Sequence, residues 1–484
     1  MTAIAVPPAS RSPLRESLRI AGEKVFRDRI IEIRHPYDGE LVGSVPKATR
    51  LDVRQALQIA RDFRSPLTRH DRYEILMRAG AIIASKRNDL ACLITLESGL
   101  CLRDSLYEVG RASDVLLFAA NSALVDDSQI FSCDLTAHGK NRKVYTLREP
   151  LQGAITAITP FNHPLNQVIH KVAPAVATNN RVVLKPSEKT PLTAFALADI
   201  LYEAGLPPAM LSVLTGDPAE IADELLTSAD VDLVTFTGGV AIGKAIAAKA
   251  VYKRQVLELG GNDPLIVLED ADIEEAAALA ASGSYRNSGQ RCTAVKRILV
   301  QESVADHFVE LLVENTRAVK YGDPFDPTMD MGTVIDEASA QRFETLVNEA
   351  VAGGARLLIG NVRRGAVYSP TVLDRVTPDM TVVRHETFGP VSPVIRFKTV
   401  EEAISIANGT AYGLSSSLCT NRIDLITRFV RELQVGSVNV REVPGYRLEM
   451  TPFGGIKDSG LGYKEGVLEA MKSYCNTKTY SLPW

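Results

Sequence analysis

From residue 153 onward, short apolar segments alternate with helical segments, and this alternation constrains the fold more than any other feature of the chain. A first group of β-branched or apolar runs lies at 154–159, 181–185, 211–214, 231–236 and 256–259. Helical patterns at 193–204 and 220–226 separate some of these runs. Strands joined through helices usually run parallel, so the pattern predicts a parallel sheet with helices on both faces.

A second group of apolar runs predicts another α/β unit after a boundary near Gly261. Its runs lie at 265–268, 298–300, 356–358, 394–397, 415–419 and 437–440. Before both groups, apolar residues recur at helical spacing from about 51 to 120. The polar segment 134–148 is expected to form a hairpin that stands off the globule and contacts another subunit. The fold class is therefore α/β.

Length, charge and cysteine usage limit the kind of protein. The 484 residues predict two or three domains, and a formal charge of −4 argues against nucleic acid or a membrane surface as the main partner. No apolar run approaches the roughly 20 residues that span a bilayer. Residues 1–14 are expected to form a loose tail rather than a secretory signal. The six cysteines form no C-x-x-C pair, which favours a reducing, cytoplasmic setting, and the seven scattered histidines suggest no metal site.

The segment 290–293 carries the clearest chemical signal. Cys292 follows a polar, glycine-containing stretch, and residues 293–297 are compatible with the start of a helix. A helix N-terminus and the adjacent Arg291 would both favour the thiolate. Glu258 precedes two glycines at a predicted strand end and could direct water at a thioester on that sulfur. The alternatives are a buried structural cysteine and a solvated acid.

Other polar residues follow predicted strands, where ligands of open parallel sheets collect. Asn162 could donate a hydrogen bond to an oxyanion or simply shape a turn. Lys185 and Glu188 could together hold a ribose, although a solvated surface turn is the competing interpretation. Residues 236–239 could aim backbone N–H groups at an anion, and residues 386–390 place an acid and an aromatic ring beside a flat ligand.

Seven motifs together resemble those of the aldehyde dehydrogenase superfamily, over nearly the whole chain. They are Thr-Pro-Phe-Asn-His-Pro, Lys-Pro-Ser-Glu, Phe-Thr-Gly-Gly, Glu-Leu-Gly-Gly, Gly-Gln-Arg-Cys, Glu-Thr-Phe-Gly-Pro and Pro-Phe-Gly-Gly-Ile-Lys-Asp-Ser-Gly. The resemblance implies a Rossmann-like NAD-binding domain (1–132 and 152–260) and a catalytic α/β domain (261–445). It also implies a β-hairpin oligomerisation element (133–151 and 446–484), and hence a homodimer or homotetramer.

The resemblance further implies roles for matching residues. Cys292 would be the nucleophile, Glu258 the base for thioester hydrolysis, and Asn162 with the Cys292 backbone N–H the oxyanion hole. Glu188 favours NAD over NADP, because a carboxylate would repel a 2′-phosphate. The residues expected to contact NAD are Ile158, Thr159, Pro160, Phe161, Lys185, Ser187, Glu188, Pro218, Phe236, Thr237, Gly238, Gly239, Ile242, Leu259, Gly260, Glu386 and Phe388.

The substrate funnel of the superfamily would be lined by several basic side chains, which predict a small anionic aldehyde. The positions are Arg111, His163, Arg291 and Arg447, together with Thr293 beside the nucleophile. Each charge-assisted hydrogen bond contributes roughly 1.5–3 kcal/mol. The chain looks like the members that oxidise phosphonoacetaldehyde to phosphonoacetate. The alternatives are members that oxidise glyceraldehyde 3-phosphate or succinate semialdehyde, and a non-catalytic protein of the same fold.

Each arginine also has a purely structural interpretation. Arg291 could serve only to lower the pKa of Cys292, Arg111 could pair with Glu108 along its helix, and Arg447 could pack within the substrate loop.

Overall fold

A computed structural model describes residues 12–483, and within that range the chain forms two seven-stranded sheets, two three-stranded sheets and one two-stranded sheet, with helices between the strands. The strands are β1 (Leu14–Arg15), β2 (Leu18–Ile20), β3 (Glu23–Val25), β4 (Ile30–Arg34), β5 (Leu41–Pro46), β6 (Ile130–Ser132), β7 (Arg142–Pro150), β8 (Ala154–Ile158), β9 (Val182–Lys185), β10 (Leu211–Val213), β11 (Val231–Thr237), β12 (Arg254–Glu258), β13 (Pro264–Val267), β14 (Arg297–Gln301), β15 (Arg356–Ile359), β16 (Arg363–Arg364), β17 (Val367–Tyr368), β18 (Thr371–Asp374), β19 (Val391–Phe397), β20 (Ser415–Cys419), β21 (Ser437–Val440) and β22 (Cys475–Pro483).

The α-helices lie mostly between these strands. They are α1 (Arg50–Asp62), α2 (Arg69–Ser85), α3 (Arg87–Ser98), α4 (Leu102–Ala123), α5 (Asn166–Ala177), α6 (Leu192–Glu203), α7 (Pro218–Thr227), α8 (Val240–Lys249), α9 (Ile273–Tyr285), α10 (Ala305–Ala318), α11 (Glu337–Ala352), α12 (Thr381–Arg384), α13 (Val400–Asn408), α14 (Ile423–Glu432) and α15 (Val467–Ser473).

The first seven-stranded sheet has the order β12-β11-β8-β9-β10-β2-β3. Its first five strands are parallel and correspond to the first group of apolar runs, so the predicted parallel sheet is confirmed. Strands β2 and β3 extend it in antiparallel pairing. Strands β8, β9 and β12 end at Ile158, Lys185 and Glu258, which places the residues that follow them along one edge of the sheet.

The second seven-stranded sheet has the order β15-β18-β19-β14-β13-β20-β21, and all its pairings except β15 with β18 are parallel. Six of these strands coincide with the second group of apolar runs, whereas β18 was not predicted. Together the two sheets confirm the α/β fold class.

The predicted helical region before residue 120 forms the four helices α1 to α4. Helices α1 and α2 each begin with a capping box, formed by Thr49 with Asp52 and by Thr68 with Asp71. Each box satisfies backbone N–H groups that the first helical turn leaves unpaired.

The polar segment near residue 140 connects β6 to β7, and β22 pairs with β7 along its whole length in a sheet of order β22-β7-β6. The hairpin is therefore confirmed, with a third strand added from the chain's end. The proposed tail 1–14 lies outside the described residues up to residue 11, and Leu14 already belongs to β1. Between residues 12 and 483, no helix is both long and apolar enough to cross a bilayer.

Candidate active site

The loop that carries Cys292 has an unusual backbone, because Asn287, Ser288 and Gly289 all have positive φ angles of 58°, 53° and 70°. Non-glycine residues in this region cost about 1–3 kcal/mol each. Hydrogen bonds hold the loop there: the Asn287 N–H donates to Asp104 at 2.8 Å, and its side-chain amide donates to the Asn162 carbonyl at 2.9 Å. The loop is therefore fixed against the end of β8 and against α4.

No helix follows Cys292, so the expected helix N-terminus is wrong. Residues 292–294 form a turn that leads to β14, which begins at Arg297. The backbone is instead tied to neighbouring segments, since the Val295 N–H donates to the Gly283 carbonyl and the Lys296 N–H to the Asp263 carbonyl. Without a helix dipole, burial raises the pKa of the Cys292 thiol to about 11.

Arg291 is not the main charge acting on the thiol. The largest influence opposing burial comes from the ammonium of Lys296. The Arg291 guanidinium instead donates to the Gly283 carbonyl at 2.8 Å, and its Nε is buried without a partner in the part of the chain that the structure describes. The arginine is thus free to donate to a ligand.

Asn162 lies beside the nucleophile loop and is buried. Its side-chain amide donates to the Gln290 carbonyl at 2.8 Å. A primary amide has two N–H donors. Asn162 can therefore keep this bond and offer its second N–H to a reacting oxygen near Cys292.

Glu258 is buried at the end of β12, and within residues 12–483 neither carboxylate oxygen has a hydrogen-bond partner. Its side chain lies against Gly454, where an added Cβ would be 2.5 Å from Oε1. Burial, and then the charge of Glu465, raise the pKa of Glu258 well above its usual range, while Lys171 opposes them. A carboxyl group with a raised pKa can act as a base near neutral pH.

A groove with a cavity volume of about 610 Å³ joins Cys292 to most of the predicted cofactor residues. Its walls include Pro160, Phe161, Asn162, Ser187, Glu188, Thr237, Gly238, Gly239, Leu259, Gly260, Glu386 and Phe388. The rings of Phe161 and Phe388 meet edge to face, with 5.8 Å between centroids. The predicted residues outside its walls are Ile158, Thr159, Lys185, Pro218, Phe236 and Ile242.

Polar groups on the groove wall and just beyond it suit a dinucleotide. Lys185 Nζ donates to Glu188 Oε2 at 3.0 Å. Burial opposes ionisation of Glu188, but Lys185, a backbone hydrogen bond and Lys189 together outweigh burial and lower the pKa of that carboxyl. Buried hydroxyls of Thr159 and Thr237, at the ends of β8 and β11, have no partner among the described residues. These unpaired groups fit a bound ligand that carries hydroxyls and phosphates.

Lys296 was not predicted to be a site residue, yet it bridges the nucleophile loop and the cofactor groove. Its buried Nζ donates to the Cys292 carbonyl at 2.7 Å and to Glu386 Oε1 at 2.6 Å. The sequence did offer one signal for a role in the site: a lysine directly before a buried strand. Buried lysines are rare unless they are paired.

The basic residues predicted to bind substrate converge only in part. Arg111, His163 and Arg291 line one small pocket of about 20 Å³, together with Asp104, Tyr107, Glu108, Arg286 and Asn287. Arg447 lies over the Phe453 ring, 3.9 Å from its centroid, and its Nη1 is buried without a partner in the described chain. Thr293 is buried next to Gly445.

Glu449 is a second residue that the sequence did not indicate. It forms an ion pair with Arg111, accepts a hydrogen bond from His170 at 2.6 Å, and lies 3.9 Å from Arg447. The suggested pairing of Arg111 with Glu108 is therefore wrong. Glu108 instead accepts the backbone N–H groups of residues 165 and 166 at the start of α5.

Among residues 12–483, no three His, Cys, Asp or Glu side chains converge as ligands for a metal ion.

Known proteins with similar sequences and structures share this architecture. Residues 24–480 match the model of the aldehyde dehydrogenase family. A 3-sulfolactaldehyde dehydrogenase of Priestia megaterium is 39% identical over 94% of this chain and 95% of its own length. The NADP-dependent glyceraldehyde-3-phosphate dehydrogenase of Bacillus halodurans C-125, in complex with NADP, is 36% identical with a TM-score of 0.94 over 97% of this chain and 99% of its own. An NAD-dependent aldehyde dehydrogenase of Sinorhizobium meliloti is 33% identical, with a TM-score of 0.92 over 97% and 95%.

Proposed function

Because this chain belongs to the aldehyde dehydrogenase family, we propose that it oxidises a small anionic aldehyde to the corresponding acid with NAD. The observation that carries the substrate class is a pair of buried, unpartnered guanidinium nitrogens near the nucleophile, Nε of Arg291 and Nη1 of Arg447. Burying such donors costs about 1–3 kcal/mol or more unless a ligand accepts from them. An anionic substrate would supply that acceptor.

In the proposed reaction, the Cys292 thiol releases its proton to solvent, and the thiolate, which the Lys296 ammonium stabilises, adds to the aldehyde carbonyl. The second amide N–H of Asn162 and the backbone N–H of Cys292 stabilise the resulting oxyanion, a contribution of about 2.7–4 kcal/mol for one donor in comparable sites. The chemistry that NAD supplies when bound is acceptance of a hydride, which leaves a thioester on Cys292. Glu258 then removes a proton from the water that attacks this thioester, and the acid departs while the thiolate is restored.

The cofactor proposal depends on the Lys185–Glu188 ion pair at the groove. An ionised Glu188 accepts hydrogen bonds from ribose hydroxyls and repels a 2′-phosphate, which favours NAD over NADP. Glu386, also on the groove wall, is proposed to hold the nicotinamide ribose.

Phosphonoacetaldehyde is the proposed substrate, oxidised to phosphonoacetate. Its terminal group presents three acceptor oxygens that share a charge of about −1.5 to −2, which suits several guanidinium donors at once. A second candidate is 3-sulfolactaldehyde, favoured by the relative that is 39% identical to this chain. The two share a short chain with an oxyanion at the end remote from the aldehyde.

A comparison of substrates across variants tests this proposal. We expect Arg291→Ala and Arg111→Ala each to raise KM for the anionic aldehyde by about tenfold or more, the cost of a lost charge-assisted bond, with little change for acetaldehyde. Arg103→Ala is the matched control, because Arg103 lies on the same helix α4 but pairs with Asp330 outside the small pocket. Equal losses with acetaldehyde would refute an anion pocket.

A non-catalytic role for this fold is tested separately. All three proposed reacting residues, Cys292, Asn162 and Glu258, are present. We expect Cys292→Ala to abolish NADH formation with every aldehyde. Oxidation by Cys292→Ala at the parent rate would overturn the mechanism.

We also propose that the β22-β7-β6 sheet joins copies of the chain into a homodimer or homotetramer. It exposes a group of large apolar side chains, Ile130, Phe131, Leu147, Tyr480 and Leu482, that a second copy could cover. In the proposed division, residues 1–132 and 152–260 bind NAD, 261–445 form the catalytic domain, and 133–151 with 446–484 assemble the subunits. Sedimentation of the intact protein would measure the subunit number, and a monomer would contradict this role.

A further inference from the structure

A single buried ammonium connects the nucleophile to the cofactor groove. Lys296 Nζ donates to the carbonyl oxygens of Gly261 and Cys292, at 2.8 and 2.7 Å, and to Glu386 Oε1 at 2.6 Å. The same Glu386 oxygen accepts the Gly261 N–H at 3.1 Å. All the donors of this lysine are therefore used, two on the backbone around the sulfur and one on the carboxylate.

The carboxylate end of this link has little freedom. A Cβ added at Gly260 would collide with the Glu386 side chain, and Lys296 Nζ also lies 5.6 Å from the centroid of the Phe388 ring. Glu386 and Phe388 both line the groove together with Cys292. A change in the charge or position of Glu386 must therefore act on the lysine, and through it on the loop.

Lys296 and Glu386 act on the sulfur with opposite signs. Burial raises the pKa of Cys292, the ammonium of Lys296 lowers it, and Asp263 and Glu386 raise it. Arg447 also lowers the pKa of the thiol, and Arg291 interacts with the same sulfur. Of these groups, Lys296 and Glu386 form a direct ion pair.

We propose that Lys296 is a positioning residue that couples the Glu386 carboxylate to the reactivity of the Cys292 sulfur. The inference rests on the proposed function, in which Cys292 is the nucleophile and Glu386 holds the nicotinamide ribose. A ligand that hydrogen-bonds to Glu386 draws charge away from the ion pair, and the ammonium then stabilises the thiolate more strongly. A ligand bound in the cofactor groove thereby changes the reactivity of the Cys292 sulfur through the Lys296 side chain.

The test is the pH dependence of Cys292 alkylation by iodoacetamide, which requires no turnover. Lys296→Met should raise the midpoint of this profile by about one pH unit or more, because a nearby opposite charge shifts a pKa by about 1–3 units. Alkylation at a fixed pH below the midpoint should then slow about tenfold. Glu386→Gln should move the midpoint in the opposite direction. Lys296→Arg keeps the positive charge, so its midpoint should lie close to that of the parent protein.

Opposite shifts separate this coupling from a packing defect, which would not reverse its sign between two partners. Arg297→Lys is the matched control, since the side chain of the neighbouring buried Arg297 donates, among the described residues, to the carbonyls of Asn262, Ile406 and Ala407 and not to Cys292 or Glu386. Its midpoint should equal that of the parent protein. If Lys296→Met does not fold, Lys296→Arg and Glu386→Gln still decide the question.

Midpoints that stay fixed in the Lys296 and Glu386 variants, or that move in the same direction, would overturn the coupling. A Cys292→Ala protein identifies the alkylated thiol among the six cysteines. Aldehyde oxidation by that protein would overturn the proposed function. The alkylation profiles would still measure the effect of Lys296 and Glu386 on the Cys292 thiol, so the two failures can be told apart.

Discussion

His170 and Glu449 share a buried hydrogen bond, with 2.6 Å between Nε2 and Oε2. Burial alone would raise the pKa of Glu449, but His170, Arg111 and Arg447 lower it well below its usual range. This carboxylate therefore stays ionised at neutral pH and fixes two of the arginines that are proposed to surround the substrate.

Replacing Glu449 should destabilise the protein in a pH-dependent way. Glu449→Gln leaves Arg111 without its carboxylate, and breaking a buried pair costs about 3–5 kcal/mol. A carboxyl with a depressed pKa stabilises the fold above its unfolded pKa of about 4.3, and that contribution is lost as the pH falls further. Urea unfolding from pH 7 to pH 3 should show a difference from the parent protein that narrows below about pH 4. The exposed Glu203→Gln serves as control, and a difference that is constant with pH would contradict the argument.

Glu258 is predicted to favour catalysis at the expense of stability. Since its folded pKa is raised, its ionised form costs stability at pH values above the unfolded pKa of about 4.3. Glu258→Gln removes that charge at nearly equal size, so the melting temperature should rise, and by more at pH 8 than at pH 5. The same variant should give a burst of NADH and then stall, because the thioester is no longer hydrolysed. Unimpaired steady-state turnover would exclude Glu258 as the base.

The sequence predicted the central strands well, because strands of a parallel sheet are buried on both faces and show as continuous apolar runs. In the two large sheets it missed β2, β3 and β18, which are only three or four residues long and carry too little pattern. It also missed the two-residue strands β1, β16 and β17 and the longer β4 and β5, which lie before the region of alternating strands and helices. The helix expected after Cys292 failed for another reason. The backbone of residues 295 and 296 pairs with Gly283 and Asp263, a tertiary contact that local sequence does not reveal.

The site residues divide in the same way, into those indicated by local sequence and those that depend on tertiary contacts. Several residues that follow strand ends, among them Phe161, Glu188 and Gly260, line the groove, since the ends of parallel strands share one edge of the sheet. Their binding roles stay predictions. Lys296 and Glu449 were missed because their partners are remote in sequence. Lys296 meets Glu386 across 90 residues, and Glu449 meets His170 across 279 and Arg111 across 338. Ion pairs of this range are fixed by the tertiary fold.

Cofactor choice should depend on the charge of Glu188. Glu188→Gln keeps an acceptor for ribose hydroxyls but removes the repulsion of a 2′-phosphate, and Lys185 is left without its carboxylate. We expect the ratio of kcat/KM for NAD to that for NADP to fall by about tenfold or more, with most of the change in the KM for NADP. Lys86→Gln, a cation that pairs with Glu203 and does not line the groove, is the control. An unchanged ratio would show that other groups set the preference.

Arg286 should guide anionic substrates toward the small pocket. Its guanidinium stands over the Tyr107 ring, 4.3 Å from the centroid, and 3.9 Å from Asp104. All three residues border both the small pocket and an adjoining cavity of about 580 Å³. Because Arg286 is partly exposed, its charge acts through solvent and is screened by salt.

Arg286→Met should therefore lower kcat/KM for an anionic aldehyde severalfold at low ionic strength, and the loss should shrink as salt is added, because electrostatic steering weakens with screening. Acetaldehyde should show no such dependence, since it carries no charge to steer. Arg103→Met is the matched control, because Arg103 borders the same cavity but is paired with Asp330 at 2.6 Å. A loss for Arg286→Met that is independent of salt would indicate a direct contact with the substrate instead of long-range attraction.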